Sequence, residues 1–162
     1  MAGDGLESSA PEPLKRIVGI GASAGGLEAL QALAANLLPG SQASYVVAQH
    51  LAPEHRSLIV HLLGRISPLP VITAVEGALL QADVIAIAPP HHDVTVEGDR
   101  LRVREPIARF GPSPHIDLLF DSIAATWGEK GAAVVLSGTG SDGARGLRAV
   151  RAAGGLTLVQ TP

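Results

Sequence analysis

Residues 17–38 read IVGIGASAGGLEALQALAANLL, and this stretch decides the fold. Its first five residues are apolar, β-branched or glycine, the composition of a short strand buried on both faces. A turn of small residues follows. From Leu27 onward leucine and alanine recur at helical spacing until Pro39-Gly40 stops the run. Strand, glycine-rich turn and helix form the opening half of a βαβ unit, and the rest of the chain repeats that rhythm. Strands are expected at 44–48, 71–74, 83–88, 132–137 and 155–159, and helices at about 56–66, 116–127 and 144–153. One interruption breaks the pattern. Residues 93–97 and 100–104 alternate polar and apolar side chains around Gly98-Asp99, an antiparallel hairpin with one wet face. The expected fold is therefore α/β: three layers, a doubly wound and mostly parallel sheet with helices on both faces, and one antiparallel hairpin.

The 162 residues suit one domain with a sizeable core. Hydrophobic residues make up 46% and aromatics 2%, so that core is built from small aliphatic side chains. Cysteine is absent, which excludes disulfides, thiolate catalysis and cysteine-ligated zinc. The net charge is −3 and the basic residues are scattered, without the Lys/Arg block of a nucleic-acid binder. No apolar run approaches the roughly 20 residues of a membrane span, and residues 1–13 lack the apolar core of a secretory signal. These features point to a cytoplasmic setting without membrane insertion. Residues 1–14 read as a disordered leader and 15–162 as the domain. The chain stops soon after a strand with no closing helix, so the expectation is that the domain's C-terminal part is missing.

Three strands end in small polar clusters. They deliver Ser23 after the first strand, His50 after the second, and Asp142 in the loop GTGSDG at residues 138–143. In an open parallel sheet the loops after the strands gather on one edge. A hydroxyl, an imidazole and a carboxylate meeting there have the composition of a nucleophile, base and orienting acid. Each also has a plainer reading: Ser23 or Asp142 as a helix cap, His50 as a satisfied structural histidine.

The first turn fits two patterns. Gly19-x-Gly21-x-x-Ala24 matches the dinucleotide fingerprint, and Gly21-x-Ser23-x-Gly25 matches a nucleophile elbow. A nucleotide site wants an acidic residue ending the second strand, whereas Gln49-His50 stands there. Of the six histidines, His55 and His61 fall in or beside a helix and His115 starts one. His91-His92-Asp93 lacks a third ligand at metal-site spacing, so no metal and no cofactor are expected. Asp117 and Asp121 read as a solvated helix face, Asp83 has no evident partner, and Arg145, Arg148 and Arg151 read as a charged surface stripe.

Taken together, IGASAGG around Ser23, QHLAP at 49–53, IAPP at 87–90, PHIDLLF at 114–120 and LSGTGSDG at 136–143 closely resemble the catalytic domain of the CheB-type chemotaxis methylesterases. These motifs run from about residue 16 to the end in that family's order. The resemblance implies a protein-glutamate methylesterase and protein-glutamine glutaminase acting on the cytoplasmic helices of methylated chemoreceptors. By position, Ser23 would be the nucleophile, His50 the base and Asp142 the orienting acid. Backbone N–H groups of Ala24 and Thr139 would form the oxyanion hole, and Gly25, Gly26, Gly138 and Gly140 would let the substrate approach. Ala24 stands where the family often has threonine, and Thr139 where it commonly has methionine. Too few residues precede the first strand for the family's phosphorylated receiver domain, so control by an attached receiver is not expected. The resemblance also suggests the front part of a longer chain carrying a methyltransferase domain. The rival classes are a nucleotide-binding module built on the Gly19–Gly26 loop and a non-catalytic signalling domain.

Overall fold

The computed structural model describes residues 13–50, 58–106, 114–136 and 141–161. Six parallel strands form the main sheet: β1 (Arg16–Ala22), β2 (Ala43–Gln49), β3 (Val71–Thr73), β4 (Ile85–Ile87), β7 (Gly131–Leu136) and β8 (Leu156–Val159), in the order β3-β4-β2-β1-β7-β8. Strands β5 (Asp93–Glu97) and β6 (Arg100–Arg104) pair antiparallel as a separate hairpin, with Glu97 opposite Arg100 across the Gly98-Asp99 turn. The helices are α1 (Leu27–Asn36), α2 (Ile59–Ile66), α3 (Ile116–Trp127) and α4 (Ala144–Ala152). The expected element order holds throughout. Boundaries move by at most two residues and the hairpin and α3 match residue for residue, while the expected helix start at 56 and strand end at 137 lie outside the described residues.

Side chains alternate across the sheet and divide the core in two. Ile20 and Ala22 of β1, with Val47 of β2, face α1 and α2, whose Leu30, Ala34, Ile59 and Leu63 are buried there. Ile17, Val46, Ala48 and Ala133 face the other way. They meet Ile116, Leu119, Phe120 and Ile123 of α3, Val150 of α4, and Val94, Val96 and Leu101 of the hairpin. Such an aliphatic side chain stabilises the fold by about 1.5–3 kcal/mol when fully buried.

Gly19 and Gly21 lie on this second face, and their lack of side chains is what lets α3 lie flat on β1. A Cβ on Gly19 would come within 2.6 Å of Ile123 Cδ1, and one on Gly21 within 2.4 Å of Ile116 Cγ2. The glycine spacing that resembles a nucleotide fingerprint is thus explained by helix–strand packing.

After β1 the chain passes to α1 on one face, and after β7 it passes to α4 on the other. Since β1 and β7 are neighbours, the change of face between their helices falls at the carboxyl edge of the sheet, the place where open α/β sheets form their sites. Ser23, His50 and Asp142 all belong to that edge.

Candidate active site

Ser23 immediately follows β1 and keeps an extended backbone, φ −83° and ψ 177°, before the single 3₁₀ turn Ala24–Gly26 that leads into α1. The strand's alternation therefore carries through to Ser23 and assigns it to the α3 face, two residues beyond Gly21. On β2 the same count gives Ala48 and then His50. Ala22 pairs with Gln49, and the His50 N–H donates to the Ala22 carbonyl at 2.8 Å, extending the parallel ladder to the two site residues. Ser23 and His50 are thus adjacent on neighbouring strands and share a face.

Gln49, one residue earlier, points to the opposite face and is 6% exposed. Its Nε2 donates to the Ser23 carbonyl at 2.7 Å, and the Gly26 N–H donates to the same oxygen at 2.8 Å. Two donors on that carbonyl fix the following peptide. By planarity the Ala24 N–H points the other way, away from Gln49. It belongs to the first amides of a helical segment, which have no intrahelical acceptor and favour negative charge. Sequence reading passed over Gln49. The available signal was a polar residue at a position whose alternation buries it against α1.

Asp142 precedes α4, yet it does not cap that helix. Its Oδ2 accepts from the Ile116 N–H at 2.8 Å and its Oδ1 from the Asp117 N–H at 2.9 Å, both at the start of α3. The amides of α4 are served instead by Asp117, whose Oδ1 accepts from Gly143 at 3.0 Å and Gly146 at 2.7 Å. Each helix supplies the other's cap. Gly143, at φ +103°, takes a backbone turn that a side chain would strain, which allows Asp142 to face α3. Asp117 is accordingly not a solvated surface acid. Arg145 pairs with Asp121 at 2.8 Å and lies 4.0 Å from Asp117, so the arginine stripe is partly engaged. Asp83 also has partners, the Gly40 N–H at 3.0 Å and the Ser41 hydroxyl at 3.4 Å.

The Asp142 Oδ2 lies 3.1 Å from His50 Nε2, with side-chain exposures of 17% and 15%. Burial works to raise the Asp142 pKa, but the His50 hydrogen bond, the Ile116 and Asp117 amides and the His50 charge outweigh it and lower it to about 2. Asp142 is a fixed anion at neutral pH. His50 Nε2 also lies 2.8 Å from the Pro114 carbonyl. With Nε2 turned to two acceptors, it carries the proton, and Nδ1 is the nitrogen left to accept one.

Of the expected oxyanion donors, Ala24 opens the 3₁₀ turn after Ser23, whereas Thr139 lies outside the described residues, as do Gly138 and Gly140. Gly25 and Gly26 form the turn beside Ser23, and a Cβ on Gly25 would meet nothing within 4 Å. His92 bonds the Pro90 carbonyl at 2.7 Å, and Asp93 pairs with His115 at 2.8 Å. Among the described residues no cluster of three or more potential ligands could hold a metal ion, and no helix is long and apolar enough to cross a membrane.

A doubly wound α/β domain with an imidazole–carboxylate pair beside a serine at its carboxyl edge defines the class. The CheB methylesterase family model matches residues 18–162, and the chain belongs to that family. It is 36% identical over 160 residues to a protein-glutamate methylesterase/protein-glutamine glutaminase of Geobacter sulfurreducens, covering 95% of this chain and 43% of that protein. A namesake from Anaeromyxobacter dehalogenans is 38% identical over 152 residues, covering 91% and 44%. This chain thus spans less than half the length of these relatives. A 104.1 kDa protein of Rhodobacter capsulatus is 46% identical over 101 residues, which are 62% of this chain and 10% of that protein. The crystal structure of the Thermotoga maritima CheB methylesterase catalytic domain superposes with a TM-score of 0.77 at 29% identity, covering 88% of this chain and 77% of that one.

Proposed function

We propose that the chain is the catalytic part of a serine esterase that removes methyl groups from glutamyl γ-methyl esters on the cytoplasmic helices of chemoreceptors. The names of its relatives support the substrate. The observation that carries the chemistry is the 3.1 Å contact from His50 to Asp142 at the strand end beside Ser23.

In this reading Ser23 Oγ attacks the ester carbonyl as His50 Nδ1 takes the hydroxyl proton. Asp142 holds the imidazole in the Nε2–H tautomer and balances its positive charge. The carbonyl oxygen becomes an oxyanion held by the Ala24 N–H, with Thr139 N–H as the second donor. One such donor is worth about 10²–10³ in rate. The C–O bond to methanol breaks and the proton on His50 passes to the leaving methoxide. Water then attacks the acyl-enzyme, His50 again takes the proton, and glutamate is released with Ser23 restored. Glutamine at the same position would lose ammonia in place of methanol. The long Rhodobacter relative supports a setting within a larger polypeptide, and a methyltransferase is the proposed companion there.

The nitrogen roles are exchanged relative to the familiar triad, in which Nδ1 meets the carboxylate and Nε2 the serine. The test is methanol release from methylated receptor by the full-length protein and its Ser23→Ala variant. The expected result is loss of release in the variant; equal rates would remove the nucleophile assignment.

A further inference from the structure

His50 Nε2 lies closer to the Pro114 carbonyl, 2.8 Å, than to Asp142, and the placement of that carbonyl has a traceable cause. The Pro114 C=O and the His115 N–H belong to one planar trans peptide, so they point in opposite directions. The His115 N–H donates to Asp93 Oδ1 at 2.8 Å. The same carboxylate meets the His115 ring, with Nδ1 2.8 Å from Oδ1 and 3.0 Å from Oδ2. One peptide is therefore clamped between a carboxylate and the imidazole of His50.

Asp93 is well suited to hold it. The residue is 5% exposed and opens β5, whose Val94 and Val96 are buried under α3. The Val96 N–H donates to Ser122 Oγ of α3 at 3.0 Å, fixing the strand to the helix. A simple capping role does not account for Asp93. The amides of Ile116 and Asp117 are already taken by Asp142, and the amide that Asp93 binds is that of His115, which precedes the helix. That is the amide that orients the Pro114 carbonyl. An N–H that donates to an anion also leaves the carbonyl of its own peptide a stronger acceptor.

Building on the esterase reading, we infer that Asp93 and His115 are a positioning pair for the base: they hold the 114–115 peptide so that its carbonyl shares the Nε2–H of His50 with Asp142 and keeps Nδ1 unprotonated. Neither residue touches the reacting atoms.

Imidazole nitrogen NMR of the full chain at mildly alkaline pH reads the His50 tautomer directly, and fluorophosphonate labelling of Ser23 reads its consequence. In Asp93→Asn the His50 signals are expected to move from the Nε2–H tautomer towards a mixture, with labelling slowed about tenfold. His115→Ala is expected to move both in the same direction by a smaller factor. His115→Asn is expected to restore them, because its amide N–H reaches Asp93 as the ring Nδ1–H does. A thermal melt confirms that each variant is folded; if Asp93→Asn is not, the two His115 variants decide. An unchanged His50 tautomer in folded Asp93→Asn, or in His115→Ala where the former fails to fold, overturns the inference. Absence of Ser23 labelling in the wild type would instead remove the esterase reading, and the tautomer measurement would still decide the positioning pair.

Discussion

Two imidazole–carboxylate pairs flank the start of α3, and they differ in what surrounds them. In the His50–Asp142 pair the imidazole comes from the end of a central strand, next to the strand that carries Ser23. In the His115–Asp93 pair the carboxylate binds both the ring and the backbone N–H of one residue, a closed local loop. The exposed Glu97–Arg102–Glu76 network offers a third setting, with Arg102 contacting the two acids at 2.9 and 3.0 Å in solvent. In the proposed reading one imidazole–carboxylate pair acts as a base and the other as a clamp, while the guanidinium–carboxylate contacts stay on the surface. What separates the two imidazole pairs is what the second ring nitrogen faces and which peptide the carboxylate holds.

The sharpest way to break this contrast is Asp142→Asn. In a comparable triad the loss of the orienting carboxylate costs about 10⁴ in rate, so methanol release is expected to fall by that order, against about tenfold for Asp93→Asn. Equal losses in the two variants would erase the distinction between orienting acid and clamp.

Acid titration tests the His50–Asp142 pair next. The Asp142 pKa of about 2 lies below its ordinary 3.8, so its contribution to stability is complete above pH 4 and fades as pH falls towards 2. That contribution is roughly 2 kcal/mol. Urea midpoints followed over this range should fall in the wild type and lose much of that slope in Asp142→Asn. A slope unchanged by the substitution would deny the carboxylate its anchoring role.

The smallest effect belongs to the hairpin surface. Arg102 holds the Glu76 pKa below its ordinary value, but the side chain is about half exposed to solvent. Glu76→Gln should therefore leave both the melting temperature and methanol release as they are. A clear drop in either would mean that the hairpin's outer face matters to the site.

Much of this arrangement could be read from the chain itself, because its causes are local. Strand and helix alternation follows from hydrophobic period, and the 93–104 hairpin follows from alternation around Gly98-Asp99. Strand parity, continued one residue beyond β1 and β2, turns Ser23 and His50 to the same face. The roles of Asp117, Asp83 and Asp93 were not legible. Each carboxylate binds groups more than 20 residues away, and no local pattern encodes such a meeting. Asp142 was recognisable as a helix cap, but its helix was not. Capping rules assume the nearest downstream helix, whereas Asp142 serves the one before it.

The exchange of caps has a mechanical consequence. Four hydrogen bonds, donated by backbone N–H groups at the start of α3 to Asp142 and at the start of α4 to Asp117, join the two helices in both directions. Sliding one helix along the other would strain all four together. Heat or denaturant should consequently disable the His50 neighbourhood abruptly, as a latch springs.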